Sequence, residues 1–346
     1  MEFSYTFPAI KGIQAGKEYY STMIPLNLLE KLFVFNEEID DICPEYRAQR
    51  NLNIKRIPEI GQYILNNRDS YIFSSLTASV DGKISFESLD NKNIGYLHVS
   101  MDSKFLINDG QHRKAAIKYA LERDPSLKDE TISIVLFKDM NLKNSQQMFS
   151  DLNRYAITPN RSIGILYDNR DYMAILTKKI VEKVSLFNLY TEKENSSLAK
   201  YSPKVFTIAN IYEANKKLIG NNKLDEDFLI RFWNDVFSNI KEFQFVLEKK
   251  LSPFELRKNY ILGFGIWLEA IGIIGNSFYG NKDNSYLKLL NTVDWQRENN
   301  EWKHRTISQG RIIKNKDAVQ RTVNLIKIKL GIKLSEEEKT LEEGKE

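Results

Sequence analysis

Residues 105 to 120, FLINDGQHRKAAIKYA, contain the change of direction that decides how this chain is read. An apolar run from Phe105 to Ile107 halts at Asn108-Asp109-Gly110 and opens directly into Gln111-His112-Arg113-Lys114-Ala115-Ala116-Ile117, the pattern of a strand, a turn and a helix start. The first N–H groups of a helix have no internal partners, and the helix dipole adds partial positive charge there, so such a junction favours an anion such as a phosphate. Gly110 permits close backbone approach. Gln111 supplies an amide, His112 a ring that titrates near neutral pH, and Arg113 a planar fork of donors suited to phosphate oxygens. The plainer alternative stays open at this point: Asp109 caps the helix through its carboxylate and Arg113 makes a surface ion pair.

Outward from this junction, 346 residues with 42% hydrophobic and 28% charged side chains describe a globular chain long enough for two domains. Cys43 is the one cysteine, which excludes an intramolecular disulfide, and its expected state is a buried free thiol. His98, His112 and His304 are widely scattered, so no metal-ligand spacing forms and no metal is expected. The N-terminal residues have no basic and apolar leader pattern and no run reaches membrane-spanning length, which points to a cytoplasmic protein without a membrane partner. The net charge of +4 hides an imbalance, since residues 335 to 346 carry −4 and residues 1 to 334 carry +8. A moderately basic body is compatible with nucleic acid, and the acidic tail is expected to be solvated and disordered.

The first half reads as mixed α and β. Helical spacing covers 27–36 and 57–66, and strands are expected at 71–80, 83–87, 96–99, 104–107 and 131–137, with Asp81-Gly82 turning the first two into a hairpin. An amphipathic helix is expected at 145–155. From there helical periods dominate, over 172–186, 205–218, 226–249, 253–279 and 316–330. Phe228, Phe232, Trp233, Phe237, Phe243, Phe245 and Trp267 recur at helical-core spacing. The domains are expected at 1–165, 166–334 and a tail at 335–346. Gly12-Ile13-Gln14-Ala15-Gly16-Lys17 is one residue short of a phosphate loop, and Glu18 stands where Ser or Thr is needed, so that motif is rejected.

Three clusters gather polar and basic groups. Arg47, Gln49, Arg50, Asn51, Asn53, Lys55 and Arg56 precede a helix, where Arg50 and Arg56 are candidates to join Arg113 in a polyanion cradle. Asp151-Leu152-Asn153-Arg154-Tyr155 and Thr158-Pro159-Asn160-Arg161-Ser162 place Asn153 and Arg154 as further candidates. Between Arg297 and Arg321 seven cations face three carboxylates, with Trp295, Trp302, His304 and Gly310 interleaved. Lys303, Arg305, Arg311, Lys314 and Lys316 are the candidates there for contacts to a DNA backbone, and a solvated connector explains the same residues.

Several motifs in order and spacing resemble the DndB family, the DGQHR-domain proteins of the DNA phosphorothioate (sulfur) modification system. They are Tyr5 to Ala9 with Gly12 to Gly16, Arg47 to Arg50 running to Arg56-Ile57-Pro58-Glu59-Ile60, Leu76 to Gly82, Ile107 to Arg113, and Gln147 to Ala156. The likeness is close over the first half and looser over the helical remainder. It implies a bacterial DNA-binding regulator that represses the modification genes, with double-stranded DNA as partner and the modification enzymes as further candidate partners; since operator-binding proteins often match a palindrome with a two-fold dimer, a homo-oligomer is expected. It also implies an α+β fold, with an N-terminal domain similar to the ParB and sulfiredoxin-like superfamily around a small mixed sheet, and a mainly helical C-terminal domain. In that superfamily the matching loop binds nucleotide phosphates, so Asp109, Gly110, Gln111, His112 and Arg113 are expected to line a phosphate pocket. The alternative is a nucleoside triphosphatase or DNA-nicking enzyme in the same system, using a nucleoside triphosphate with magnesium. Asp109 would then orient water or a cation, His112 transfer a proton, and Arg113 stabilise developing charge.

Overall fold

The computed structural model describes residues 3–33, 53–89, 92–138, 142–154, 160–281 and 284–343. Cys43, Arg47, Gln49, Arg50, Asn51, Tyr155, Thr158 and Pro159 lie outside the described residues, as do the side chains of Asn153 and Arg154. The chain divides into two compact units, Met1–Ile157 and Thr158–Glu346.

Unit 1 begins with a hairpin of β1 (Ser4–Gln14) and β2 (Lys17–Pro25). Ala15 and Gly16 form its turn with φ of +50° and +74°, the two-residue left-handed turn that matches strand twist. This hairpin is what the rejected phosphate-loop segment forms. Then come α1 (Leu26–Leu32), α2 (Arg56–Asn66), β3 (Leu76–Asp81), β4 (Ile84–Ser88), β5 (Ile94–Ser100), β6 (Lys104–Asp109), α3 (Gln111–Leu121), β7 (Thr131–Lys138) and α4 (Leu142–Arg154). The strands form one seven-stranded sheet, ordered β4-β5-β1-β2-β7-β3-β6, larger than the small sheet expected. It is mixed, because β3 runs parallel to β7 while the other pairs are antiparallel. Leu76, Ala78 and Val80 on β3 are fully buried with Ile134 and Leu136 on β7 and Leu97 and Val99 on β5.

The expected Asp81-Gly82 hairpin does not form. β3 pairs with β7 and β6, and β4 pairs with β5 at the other end of the strand order. An Asp-Gly pair marks a change of direction without naming the next partner, and here burial of β3 between two neighbours decides. In a flat sheet, β3 and β4 would be about 24 Å apart at the usual strand spacing. Gly82 and Lys83 alone link them, and so short a link reaches roughly 11 Å, so the sheet curls until its ends approach. Tyr5 on β1 and Phe105 on β6 meet edge to face at 6.4 Å between ring centroids across that curl.

Unit 2 is mainly helical: α5 (Arg161–Tyr167), α6 (Tyr172–Lys183), α7 (Ser185–Tyr190), then after a loop α8 (Ile208–Ile219), α9 (Glu226–Ser238), α10 (Lys241–Leu247), α11 (Pro253–Asn259), α12 (Gly265–Asn276), α13 (Lys316–Lys329) and α14 (Glu336–Glu343). A boundary at 165 would cut α5, whose start is held within unit 2 by Ser162 Oγ on the Asn195 carbonyl at 3.0 Å. Two long helical periods are interrupted, at Asn239-Ile240 and at 260–264, where Ile261 N–H donates to the Trp295 carbonyl at 3.1 Å. Trp233, Trp267, Phe232, Phe237 and Phe243 are buried in one aromatic core, as their spacing predicts, while Phe245 is partly exposed. The tail expected to be disordered is instead α14. Ser335 and Glu338 cap it reciprocally, Glu338 N–H to Ser335 Oγ at 3.2 Å and Ser335 N–H to Glu338 Oε2 at 2.9 Å.

Candidate functional site

Strand β6 ends irregularly. Thr77 pairs with Asp109 and Ala78 with Ile107, so Asn108 is an extra residue bulged between them. The bulge turns Asn108 inward beside Ile107, and both are buried. A buried amide must be paired. Ser79 Oγ donates to Asn108 Oδ1 at 2.7 Å, and Asn108 Nδ2 donates to the Ser145 carbonyl of α4 at 3.5 Å. The bulge therefore fastens β3, β6 and α4 at one point and sets the direction in which Asp109 leaves the sheet.

Gly110 follows with φ of +103°, and an added Cβ would meet Leu76 Cδ2 at 2.3 Å. The position needs glycine on both counts. It is also the residue before α3, so that helix has no side chain at its cap position, and no acidic residue stands in its first turn. The junction expected from sequence is present: strand, left-handed glycine, helix start.

The motif side chains turn to separate partners. Arg113 Nη1 donates to the carbonyls of Ser74 at 2.6 Å and Ser75 at 2.8 Å and to Ser74 Oγ, while Nη2 reaches Asp109 Oδ2 at 2.5 Å. Its side chain is 17% exposed and that of Asp109 42%. Much of the fork is thus spent on the segment entering β3 and on the carboxylate four residues back. His112 Nε2 accepts from the Asn53 N–H at 3.0 Å; an amide can only donate, so the ring proton is assigned to Nδ1. Asn53 in turn accepts from Lys55 N–H at 3.2 Å and, through its carbonyl, from Arg56 N–H at 3.0 Å, which forms the turn into α2. Gln111 Nε2 folds back to the Ile107 carbonyl at 3.4 Å. Arg56 is exposed at the start of α2. His112 thereby meets the end of the polar cluster 47–56, and Arg50 lies outside the described residues. Sequence reading missed Asn53, Ser74, Ser75 and Asn108 as partners. The letters do not announce the bulge, because polar Asn108 after apolar Ile107 is the ordinary alternation of a strand and only the structure turns both inward.

In unit 2 the candidate cations divide. Lys303, Arg311 and Lys316 are exposed. Lys314 pairs with Glu269 at 3.0 Å. Arg305 points inward, donating to the Glu301 carbonyl at 2.7 Å and to Glu342 of α14 at 2.6 Å, with side-chain exposures of 13% and 11%. Trp295 and Trp302 are buried and stacked at 5.6 Å, so they are core and offer no face to a base. The same helix α14 is held a second time, by Lys327 of α13 on Glu338 at 2.7 Å. Burial pushes the Glu338 carboxyl up, but the Lys327 and Ser335 hydrogen bonds and the lysine charge outweigh it, leaving it below the usual carboxylate range.

The family model of DndB, described as DNA-sulfur modification-associated, matches residues 7–333, nearly the whole chain and both units. No curated protein and no solved structure matches the chain at a significant level.

Proposed function

The chain belongs to the DndB family and so has a role in DNA sulfur modification, and we propose that within this system it binds double-stranded DNA and represses the modification genes. Family membership carries the reading. The exposed cations Lys303, Arg311 and Lys316, grouped around the short strands Ile307–Ser308 and Arg311–Ile312 and the start of α13, support it by offering charge to phosphates. Phosphate contacts would supply most of the affinity, with DNA shape or a few base contacts supplying selectivity. In the same proposal unit 1 is a ParB/sulfiredoxin-like domain whose phosphate contacts come from the Gly110-Gln111 backbone at the start of α3, with Arg50, Arg56, Asn153 and Arg154 as further contacts. The modification enzymes and a second copy of the chain are its proposed partners, and the cytoplasm its proposed location.

The triphosphatase or nicking alternative has less behind it. Arg113 donates to two backbone carbonyls and Asp109, and His112 Nε2 is taken by an amide N–H, so both would have to release these partners to act on substrate. A mobility-shift titration separates the readings. DNA from upstream of the modification genes should bind in preference to random duplex, with affinity that falls steeply with salt. Equal affinity for both duplexes overturns specific repression, and magnesium-dependent phosphate release abolished by Asp109→Asn would restore the enzyme.

A further inference from the structure

Unit 2 holds a cavity of about 570 Å³, within the range of small-ligand sites. Its wall carries the cations Lys200, Arg257 and Lys258, the rings of Tyr201, Phe254 and Phe264, and, among the described residues, no carboxylate. Arg257 is its brace: Nη1 donates to the Lys204 carbonyl, and Nη2 to those of Lys200 at 3.1 Å and Ser202 at 2.9 Å, which fixes the loop forming one wall. Lys200 and Lys258 are then the cations left at the opening, and both are exposed. Arg297 adds charge beside them, its guanidinium 5.7 Å from the Phe264 ring centroid and its Nη1 3.4 Å from the Lys258 carbonyl.

The rings give the cavity a second character. Tyr201 and Phe254 lie 5.0 Å apart at 40°, and Tyr201 is 72% exposed although Lys200 Nζ sits 5.2 Å from its centroid. An exposed ring backed by the half-buried Phe254 costs solvation and is suited to receiving a planar group. Thr207 and Asn210 add polar groups to the wall, and α12 begins there with no acidic residue in its first turn. A planar apolar face beside a cluster of cations, of which Lys258 has a carboxylate near it, Glu255 one turn back, selects a ligand that is flat and aromatic at one end and anionic at the other.

We propose that this cavity binds one nucleoside phosphate unit, its base against Tyr201 and Phe254 and its phosphate held by Lys200 and Lys258. Two sources share that chemistry, a free mononucleotide and an unpaired nucleotide of a DNA strand. Its residues are other than the exposed cations assigned to duplex DNA, although Arg297 reaches toward both through the Lys258 and Gly310 carbonyls at 3.4 and 3.3 Å, and the proposal stands whether or not the chain is a repressor.

The test uses the full chain with adenosine monophosphate, a short single-stranded oligonucleotide, the matching duplex and inorganic phosphate, followed by calorimetry and fluorescence anisotropy. Tyr201→Ala and Lys258→Glu change exposed side chains, and unchanged thermal unfolding confirms their folding. Each should weaken nucleotide or single-strand binding about tenfold or more, with Tyr201→Phe close to wild type because the ring remains. Binding of the mononucleotide identifies a free ligand, and binding of the strand alone identifies an unpaired nucleotide. Absence of both, equal binding by wild type and Tyr201→Ala, or displacement by inorganic phosphate as effective as by the nucleotide overturns the proposal. Duplex affinity, which tests the repressor reading, should stay unchanged in Tyr201→Ala.

Discussion

Replacing Arg113 by alanine separates a strut from a ligand contact. The side chain is mostly buried and its Nη1 group holds the carbonyls of Ser74 and Ser75. Hydrogen bonds from a charged donor contribute about 1.5–3 kcal/mol each in the interior. Ser74 is exposed, so its share lies at the low end, and the half-exposed pair with Asp109 adds only about 0–1 kcal/mol. The expected loss is therefore about 2–4 kcal/mol, or roughly 5–15 °C in the transition that unfolds unit 1. Thermal unfolding followed by circular dichroism measures it, and amide exchange should accelerate first at residues 74–77, which lose their anchor. Arg113→Lys keeps the charge but not the fork, and should recover less than half of the stability. A transition within about 1 °C of wild type, together with lost DNA or nucleotide affinity, would show that Arg113 serves a ligand and that its bonds to Ser74 and Ser75 are incidental.

Gly110→Ala should cost about 2–4 kcal/mol, from a left-handed backbone and a Cβ driven into Leu76, read as a lower unfolding midpoint in urea. Asn108→Ala should cost about 1–3 kcal/mol by removing the acceptor of the buried Ser79 hydroxyl and the amide that packs beneath α4; a neutral result by the same measurement would mean that the bulge is held by backbone alone. The Glu338 carboxyl is depressed in the folded chain, so its stabilisation is present above the unfolded carboxylate value and lost as pH falls through the folded one. Amide exchange across α14 should thus rise below about pH 4 in wild type, and Glu338→Gln should show the faster exchange already at neutral pH. Equal exchange in the two proteins at pH 7 would count against the Lys327 pair as the anchor.

What could be read from sequence follows from how local the cause is. The β6–α3 junction was legible because an apolar run, an Asp-Gly pair and a helical period lie within 105–120, and α8 and α13 were legible from periodicity alone. Pairing in the sheet was not: Asp81-Gly82 specifies a bend, but β4 finds β5 because β3 is already enclosed by β7 and β6. The candidate site was half legible. Its residues were named, and the Asp109–Arg113 pair is local, yet the Ser74 and Ser75 partners of Arg113 and the Asn53 partner of His112 stand 38 to 59 positions away, beyond any local pattern. The tail shows the opposite fault. Six glutamates suggest a solvated segment, but Ser335 and Glu338 form a capping box, and Glu338 and Glu342, four apart, share a face that meets Lys327 and Arg305.

The bonds around Asp109-Gly110-Gln111-His112-Arg113 supply a reason for each letter that needs no reaction. Glycine is demanded by φ of +103° and the contact with Leu76. Aspartate and arginine clamp each other across one helical turn while the arginine pins the entry to β3, histidine accepts from the turn that starts α2, and glutamine closes on the strand it follows. A corner assembled this way presents its helix start on a rigid support, with the geometry set before any ligand arrives, which is the arrangement an anion-binding backbone requires. Under the proposed phosphate contact at the start of α3, side-chain substitutions here should act on affinity through the placement of that helix. Conservative changes that keep the bonds, with thermal stability as the gauge, should preserve ligand affinity in proportion; affinity lost at full stability would break that link.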